Sequence, residues 1–569
     1  MGTWALPQND LINSREKDIL EHCYDDYDFF LSDYQYISRL YSSLTLTIGK
    51  ILNSHHFVNW DERSWKIFYG AWLHVYLPVI RERYLTIEKA IIELEDYKFI
   101  LRDKPLEVYD VEDFNKKITE DDYNLSLYSK IVKFLNKQLY KKSHFIAIDC
   151  YENDASNNKF FDIRNYLKSE FGRLLQALFG YLSLKKENSA VDRSYFKKHH
   201  FMRLILNPLF KTKPIFYFPK LIPKHTTKCR KTRKLLYKKL LCGFSPKTSF
   251  ERYLLLNIVE DMPLSFVENF KYLLHQSNYI ELQNINYLSC NAILSNQVLQ
   301  CAIANQLSGN KKLIIAQHGG AYGIPKWSMQ QFYELDTADV YISFGWNENV
   351  NNKNKNIIPY SHPKLLLKTH NPNKIKLRLL YVTWAPSRYF NRNWSLPTVG
   401  NSILNYYSNI RNLLEELNSK TKNSLWLRVA PSADEYDLGI KEFLGKEIKF
   451  SEGNFYKEIR DASLVIIDHN TTALVECFAI NKPTVVVWNP VFNKLSNTAE
   501  NIFKEMAEVG IFHSSYTDAA KFINEKVSCN SINEWWSDLR LQKIVRKFSS
   551  EYARRNENWV HDYQKILCC

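Results

Sequence analysis

LVIIDHNTTALVECFA, residues 464–479, begins with four apolar residues, turns through a polar stretch and resumes as a second apolar run. The run from Leu464 reads as a buried strand that ends in Asp468. Ala473–Ala479 reads as a helix with Asn470, Thr471 and Thr472 at its start. A continuous apolar strand feeding a helix is the unit of a parallel sheet covered on both faces. Outward from this stretch the same texture recurs in KLIIAQHGG (312–320), VYISFGW (340–346), RLLYVTW (378–384), LWLRVA (425–430) and TVVVWNP (484–490). The expected fold class is therefore α/β, with two Rossmann-like domains facing a cleft.

The first 200 residues read mainly as helix, with apolar residues at helical spacing over Trp65 to Tyr97. Pro78 is expected to start a new helix or kink this one. HFIAIDC (144–150) is an isolated strand candidate, and 201–245 is Pro-punctuated, basic and irregular. The division expected is an N-terminal acceptor-side domain over 1–350 carrying that basic insertion, a linker over 351–377 and a C-terminal donor-binding domain over 378–569.

Ligands of parallel sheets bind beyond the carboxyl ends of the strands, so the residues following each apolar run are the candidates. After 464–467 come Asp468, Asn470, Thr471 and Thr472. The free amides and positive dipole of a helix start favour a phosphate there, and two hydroxyls add donors, although a plain N-cap accounts for one threonine. Glu476, one turn on, suits hydrogen bonds from sugar or ribose hydroxyls, or steadies the helix start. The run over 312–320 leads into AQHGGAYG (316–323), where Gly319 and Gly320 let backbone amides approach a ligand. His318 there suits a general base on a hydroxyl or a loop-capping hydrogen bond. Glu334, Asp336 and Asp339 are alternative bases. Arg428 ends a run, fitting a carboxylate or diphosphate, or else pairing with Asp434, Glu435 or Asp437.

Composition narrows the class. Ten cysteines without a CxxC pair give no disulfide scaffold and no metal spacing. No DxD pair, GxxxxGK[ST], GxSxG or HExxH occurs, so no catalytic metal and no cofactor are expected. No apolar run is long enough to cross a bilayer and the N-terminus has no secretory pattern, which predicts a cytoplasmic protein. The net charge of +15 is uneven: eleven Lys or Arg and no acid lie between Lys211 and Lys239. Such a stretch suits an anionic membrane surface or glycan, or is a solvated face; without a recognised module, nucleic acid is not expected.

Several of these residues, in order, resemble a known family. ILNSHHFVNWDERSWKIFYGAWLHVYLPVIRERY (51–84), Gln317–Gly323, Phe344-Gly345-Trp346, Asn470-Thr471-Thr472 with Glu476, Trp488-Asn489-Pro490 and INEWWSDLRLQKIVRKFSSEYA (532–553) are similar to motifs of the transferases of O-antigen and other surface-carbohydrate biosynthesis clusters. The resemblance implies a GT-B-like glycosyltransferase related to bacterial 3-deoxy-octulosonic acid transferases, and more distantly to CDP-glycerol phosphotransferases of teichoic-acid synthesis. It implies a nucleotide-activated sugar, CMP-linked in those relatives, and a lipid-linked or polysaccharide acceptor. The enzyme would then be peripheral at the inner membrane through 211–239. Two places depart from the family: Phe548-Ser549 replaces Phe-Cys, and Ala430-Pro431 stands where cytidine-donor relatives carry His-Pro. A CDP-alcohol phosphotransferase and a catalytically silent glycan-binding protein are the alternatives.

Overall fold

The structure is a computed structural model. It describes residues 20–93, 98–102, 105–139, 144–147, 189–192, 196–206, 212–215, 224–225, 227–282, 285–307, 311–347, 356–366, 377–384, 387–396, 401–429, 444, 448–491 and 493–568. It is α/β, with two parallel sheets, surrounding helices and a helical N-terminal region.

In chain order the strands are β1 (Lys98–Leu101), β2 (His144–Ala147), β3 (Ser189–Asp192), β4 (Thr212–Ile215), β5 (Asn286–Ser289), β6 (Leu313–Ala316), β7 (Val340–Ser343), β8 (Asn356–Pro359), β9 (Leu379–Val382), β10 (Leu425–Arg428), β11 (Leu464–Ile467), β12 (Thr484–Val487) and β13 (Phe512–His513). One sheet has the order β10-β9-β11-β12-β13, the other β4-β3-β5-β6-β7-β8, and β1 pairs with β2 separately. Each apolar run quoted from 312 onward supplies a strand. The basic stretch supplies the edge strand β4 and the helix Arg230–Gly243, and the polar segment after Asn347 supplies β8.

The chain forms two compact units. One comprises residues to Asp33, Ala316–Phe332 and Tyr341–Asp562; the other comprises Tyr34–Ile315, Tyr333–Val340 and Tyr563–Cys569. In the first, the five-stranded sheet is apolar on both faces. Leu379, Tyr381, Leu464, Ile466, Val485 and Val487 pack with residues of the helices Asn401–Glu416 and Tyr516–Ser528. The alternate residues Leu380, Val465, Ile467 and Val486 are equally buried. Burying each such side chain stabilises the fold by about 1.5–3 kcal/mol before chain entropy is counted. This is why these strands carry no polar alternation.

In the second unit, Pro78 lies inside one helix, Gly70–Glu93, and neither starts it nor divides it. The break falls earlier, at Tyr69, the C-cap of Glu62–Phe68, whose amide donates to Trp65 O at 3.0 Å. Sixteen residues of Gly70–Glu93 are buried, so packing outweighs the one backbone hydrogen bond that proline removes.

Candidate functional site

The order β10-β9-β11-β12-β13 follows the sequence pattern 2-1-3-4-5, in which the direction of strand addition reverses between β9 and β11 while all strands stay parallel. In open parallel sheets ligands bind beyond the carboxyl ends of the strands at such a switch point. Val382 is followed there by Thr383-Trp384, and Ile467 by Asp468-His469-Asn470-Thr471-Thr472.

Asp468 is 2% exposed and its carboxylate is fully engaged. It accepts from Tyr381 Oη at 3.0 Å, Tyr406 Oη at 2.9 Å and the Trp384 amide at 3.3 Å, and meets His469 Nδ1 at 2.9 Å. Burial, followed by the charge of Asp468, raises both tyrosine pKa values well above normal, so both hydroxyls stay protonated as donors. Asp468 thus holds the turn and orients His469. His469, which follows the strand end but to which the sequence assigns no role, has its ring 6.1 Å from that of Trp384.

The helix Thr472–Ala479 begins without a side-chain cap: Thr471 at the N-cap makes no such bond. Its first amides have no partner within the helix. Asn470 is fully buried, with neither amide atom bonded, and the indole nitrogens of Trp384 and Trp394 are buried without a partner. Trp384 and Trp394 meet edge to face at 5.5 Å. Buried polar atoms are paired in more than nine cases of ten, so such a group beside an uncapped helix start marks a place that a ligand or ordered water completes.

The glycine motif belongs to the same unit and is in direct contact with this turn. Gly320 N donates to Thr472 Oγ1 at 3.0 Å, and Ala321 N to Asn470 O at 3.1 Å. A Cβ on Gly320 would lie 2.3 Å from the Thr471 carbonyl carbon. The expectation that the two glycines admit a ligand is therefore corrected for Gly320: they admit the Asn470–Thr472 backbone. Gly319 is roomier, its Cβ position lying 3.2 Å from Thr472 Oγ1.

Gln317, the first residue of the glycine motif, is another to which the sequence assigns no role. Its Oε1 accepts from the Phe344 amide and Trp346 Nε1, both at 2.8 Å, and its Nε2 donates to Gly319 O at 2.7 Å. It ties the FGW segment to the glycine turn. Gly345 has φ +141°, and a Cβ there would lie 2.3 Å from Ser550 O, so the tail motif packs on FGW through a position only glycine fills.

His318 has Tyr322 Oη at 3.4 Å and Gln330 Nε2 at 3.4 Å from its Nε2. Burial, then the charges of Lys364 and Arg392, push its pKa down to about 3, so the ring is neutral near pH 7. Lys364 donates to His318 O at 3.1 Å and lies 3.8 Å from Glu476. Glu476, 2% exposed, also accepts from Tyr456 Oη at 3.3 Å, so it anchors Lys364 in place.

The remaining candidates lie elsewhere. Arg428, on edge strand β10, pairs with Glu458, donates to Gly453 O at 2.8 Å and stacks on Phe455. It is committed to the fold rather than to a diphosphate. Burial raises the Glu458 pKa, but the Ser451 hydroxyl and Arg428 outweigh it and hold Glu458 below the usual carboxylate range. Asp434, Glu435 and Asp437 lie outside the described residues, as does Ala430-Pro431. In the second unit, Asp339 pairs with Arg63 and accepts from the Leu313 amide at 2.7 Å, and Asp336 is 3.1 Å from Lys66. Those bonds fix helix and strand ends and leave neither acid the open geometry of a base. Glu334 is fully buried in the same unit. Among the described residues, no group of three or more His, Cys, Asp or Glu is placed to hold a metal ion, and no helix is long and apolar enough to cross a membrane.

A search of curated proteins finds no match. Among solved structures, MurG of Acinetobacter baumannii is similar at 10% identity and a TM-score of 0.32, over 67% of this chain and 99% of that one. The wall teichoic acid polymerase TagF is similar at 11% identity and a TM-score of 0.26, over 52% of this chain and 85% of that one. Those values say nothing of activity. The model of the LIC12162 family transferase matches residues 1–567, and the chain belongs to that family of transferases.

Proposed function

We propose that this transferase is a glycosyltransferase that moves a sugar from a nucleotide-activated donor to a surface-polysaccharide or lipid-linked acceptor. The observation that carries the reading is the uncapped start of Thr472–Ala479, with buried, unpartnered Asn470, beside the cations Lys364 and Arg392 that act on His318. A donor phosphate at this turn meets amide dipoles, the Thr471 hydroxyl and the Lys364 ammonium, which stabilise a leaving nucleotide as its bond to the anomeric carbon breaks. In a single displacement the acceptor oxygen bonds to that carbon and its proton passes to a neutral imidazole.

Two histidines border the turn. His469, held at Nδ1 by Asp468, has the orientation and charge support a base requires. His318, depressed to about 3, suits hydrogen bonding to a hydroxyl better than net proton uptake. The O-antigen context and a CMP-linked donor rest on the motif resemblance described above.

A thermal-shift panel of CMP, CDP, UDP, GDP and dTDP tests the reading, because a ligand of the folded state raises Tm by mass action. A rise with one nucleobase that is lost in Thr471→Val supports it. No shift with any of the five at millimolar concentration, or a phosphodiester in the product of a turnover assay, overturns sugar transfer.

A further inference from the structure

In the second unit, away from the turn just described, a cavity of about 850 Å³ opens between the end of the helix Tyr27–His56 and the start of Arg230–Gly243. Its wall carries Lys224, Lys228 and Lys271 together with His55 and His225. None of these three lysines makes an ion pair among the described residues. The one acid in the wall, Glu268, is already consumed: its oxygens take Arg233 Nε at 2.9 Å, Arg233 Nη2 at 2.8 Å and the Cys229 amide at 2.9 Å.

The wall is built, not loose. Asn269 is 1% exposed and its Oδ1 accepts the amides of Lys224 and His225 at 3.0 and 2.8 Å, while its Nδ2 donates to His225 O at 3.0 Å. Arg233, fully buried, is locked by Glu268 and by the carbonyl of Met262 at 3.0 Å. The helix start at Cys229 has no side-chain cap, which adds positive potential on the same side as the lysines. Burial and nearby cations disfavour charge on two of these groups: His55 is lowered by burial and then by Lys239, and Lys228 is lowered by burial and then by Lys130, with Asp261 and Glu107 opposing. At the rim Phe57 is 90% exposed with φ +59°, a costly place for an aromatic ring that the packing does not use.

We propose that this cavity binds a phosphate or diphosphate group, with an apolar portion of the same ligand lying toward Phe57. Cations gathered on a fixed wall whose acid Glu268 is already bonded to Arg233 are relieved by an anion, and a diphosphate spans several ammonium groups at once. The proposal is separate from the donor turn and stands without it. The same chemistry is offered by a soluble phosphate ester and by a lipid phosphate at an anionic membrane.

The test uses the full-length protein and inorganic pyrophosphate, titrated calorimetrically at fixed ionic strength. Three proteins are compared: wild type, Lys228→Ala/Lys271→Ala, and Lys234→Ala/Lys238→Ala, which removes the same charge from the helix outside the cavity. The expected result is binding weakened at least tenfold in the first variant and less than twofold in the second, with unchanged nucleotide-induced Tm shifts in both. Co-sedimentation with phosphatidylglycerol and phosphatidylcholine vesicles distinguishes the sources. Loss of phosphatidylglycerol binding in the cavity variant alone assigns a lipid phosphate; unchanged vesicle behaviour with lost pyrophosphate binding assigns a soluble ester. Equal losses in the two variants, or no loss in either, overturn the proposal.

Discussion

Asp468 gathers two tyrosine hydroxyls, a backbone amide and an imidazole around one buried carboxylate, and its environment therefore decides what His469 can do. Asp468→Asn keeps the shape but replaces one accepting oxygen with an NH2 that faces two of the donors and removes the negative charge. We expect kcat to fall at least about a hundredfold and stability by about 1–3 kcal/mol, read from turnover and denaturant midpoints. His469→Gln tests the same role without disturbing the tyrosines: a loss of about a hundredfold in kcat with near-normal KM marks it as the base. His318→Ala then discriminates between the two histidines. If His318 is instead the base, its variant bears the hundredfold loss and His469→Gln keeps near-normal turnover. Arg428→Ala is expected to leave nucleotide-induced Tm shifts intact while lowering the ligand-free Tm, because it removes the partner of Glu458 and nothing from the turn.

At the scale of elements, two turns meet: the glycine turn after β6 and the start of Thr472–Ala479. Gly320→Ala puts a methyl group where the Thr471 carbonyl stands, so the turns must separate. The cost expected is about 1–3 kcal/mol of overpacking, accompanied by loss of the nucleotide-induced Tm shift. Gly319→Ala meets only the Thr472 hydroxyl at 3.2 Å and is expected to be milder on both readouts. Equal effects of the two substitutions would show that contact between the turns does not shape the site. The motif residues of 51–84 serve a different purpose: Asn53 bonds the backbone of Trp60 and the indole of Trp65, and His56 stacks on Phe270 at 4.0 Å. They build the second unit's core.

For the whole molecule, buried neutral histidines set the acid limit of stability. Burial pushes His74 down to about 4 despite the hydrogen bonds of Gly70 and Ala71, and burial likewise takes His56 to about 4. Unfolded histidines titrate near 6.5, so between about pH 6.5 and 4 the unfolded chain binds more protons. The folded state is favoured fully above pH 6.5 and loses that advantage as pH falls. Apparent Tm is expected to drop between pH 7 and 5, and His74→Asn to flatten that slope whatever it does to Tm at pH 7. A slope identical to wild type would remove His74 from the account.

The sequence alone determined the α/β class and the positions of β6, β7, β9, β10, β11 and β12, because a strand buried on both faces must be apolar throughout and composition records that directly. It also marked the Asn470–Thr472 turn and His318, since residues just past buried strand ends need little tertiary information to be singled out. Tertiary structure decided the rest. Asp468, Glu476, Arg428 and Asp339 were legible as charged residues near strand ends, but a charge's role depends on who pairs with it, and those partners lie 20 to 276 residues away. The two glycines read as space for a ligand, and Gly320 is space for backbone, because only the folded chain shows what approaches a missing Cβ. His469 and Gln317 lie in strand-end motifs, but their hydrogen bonds, His469 to Asp468 and Gln317 to Phe344 and Trp346, are visible only in the fold; Lys364 has no local pattern, and its contacts with His318 and Glu476 come from distant segments.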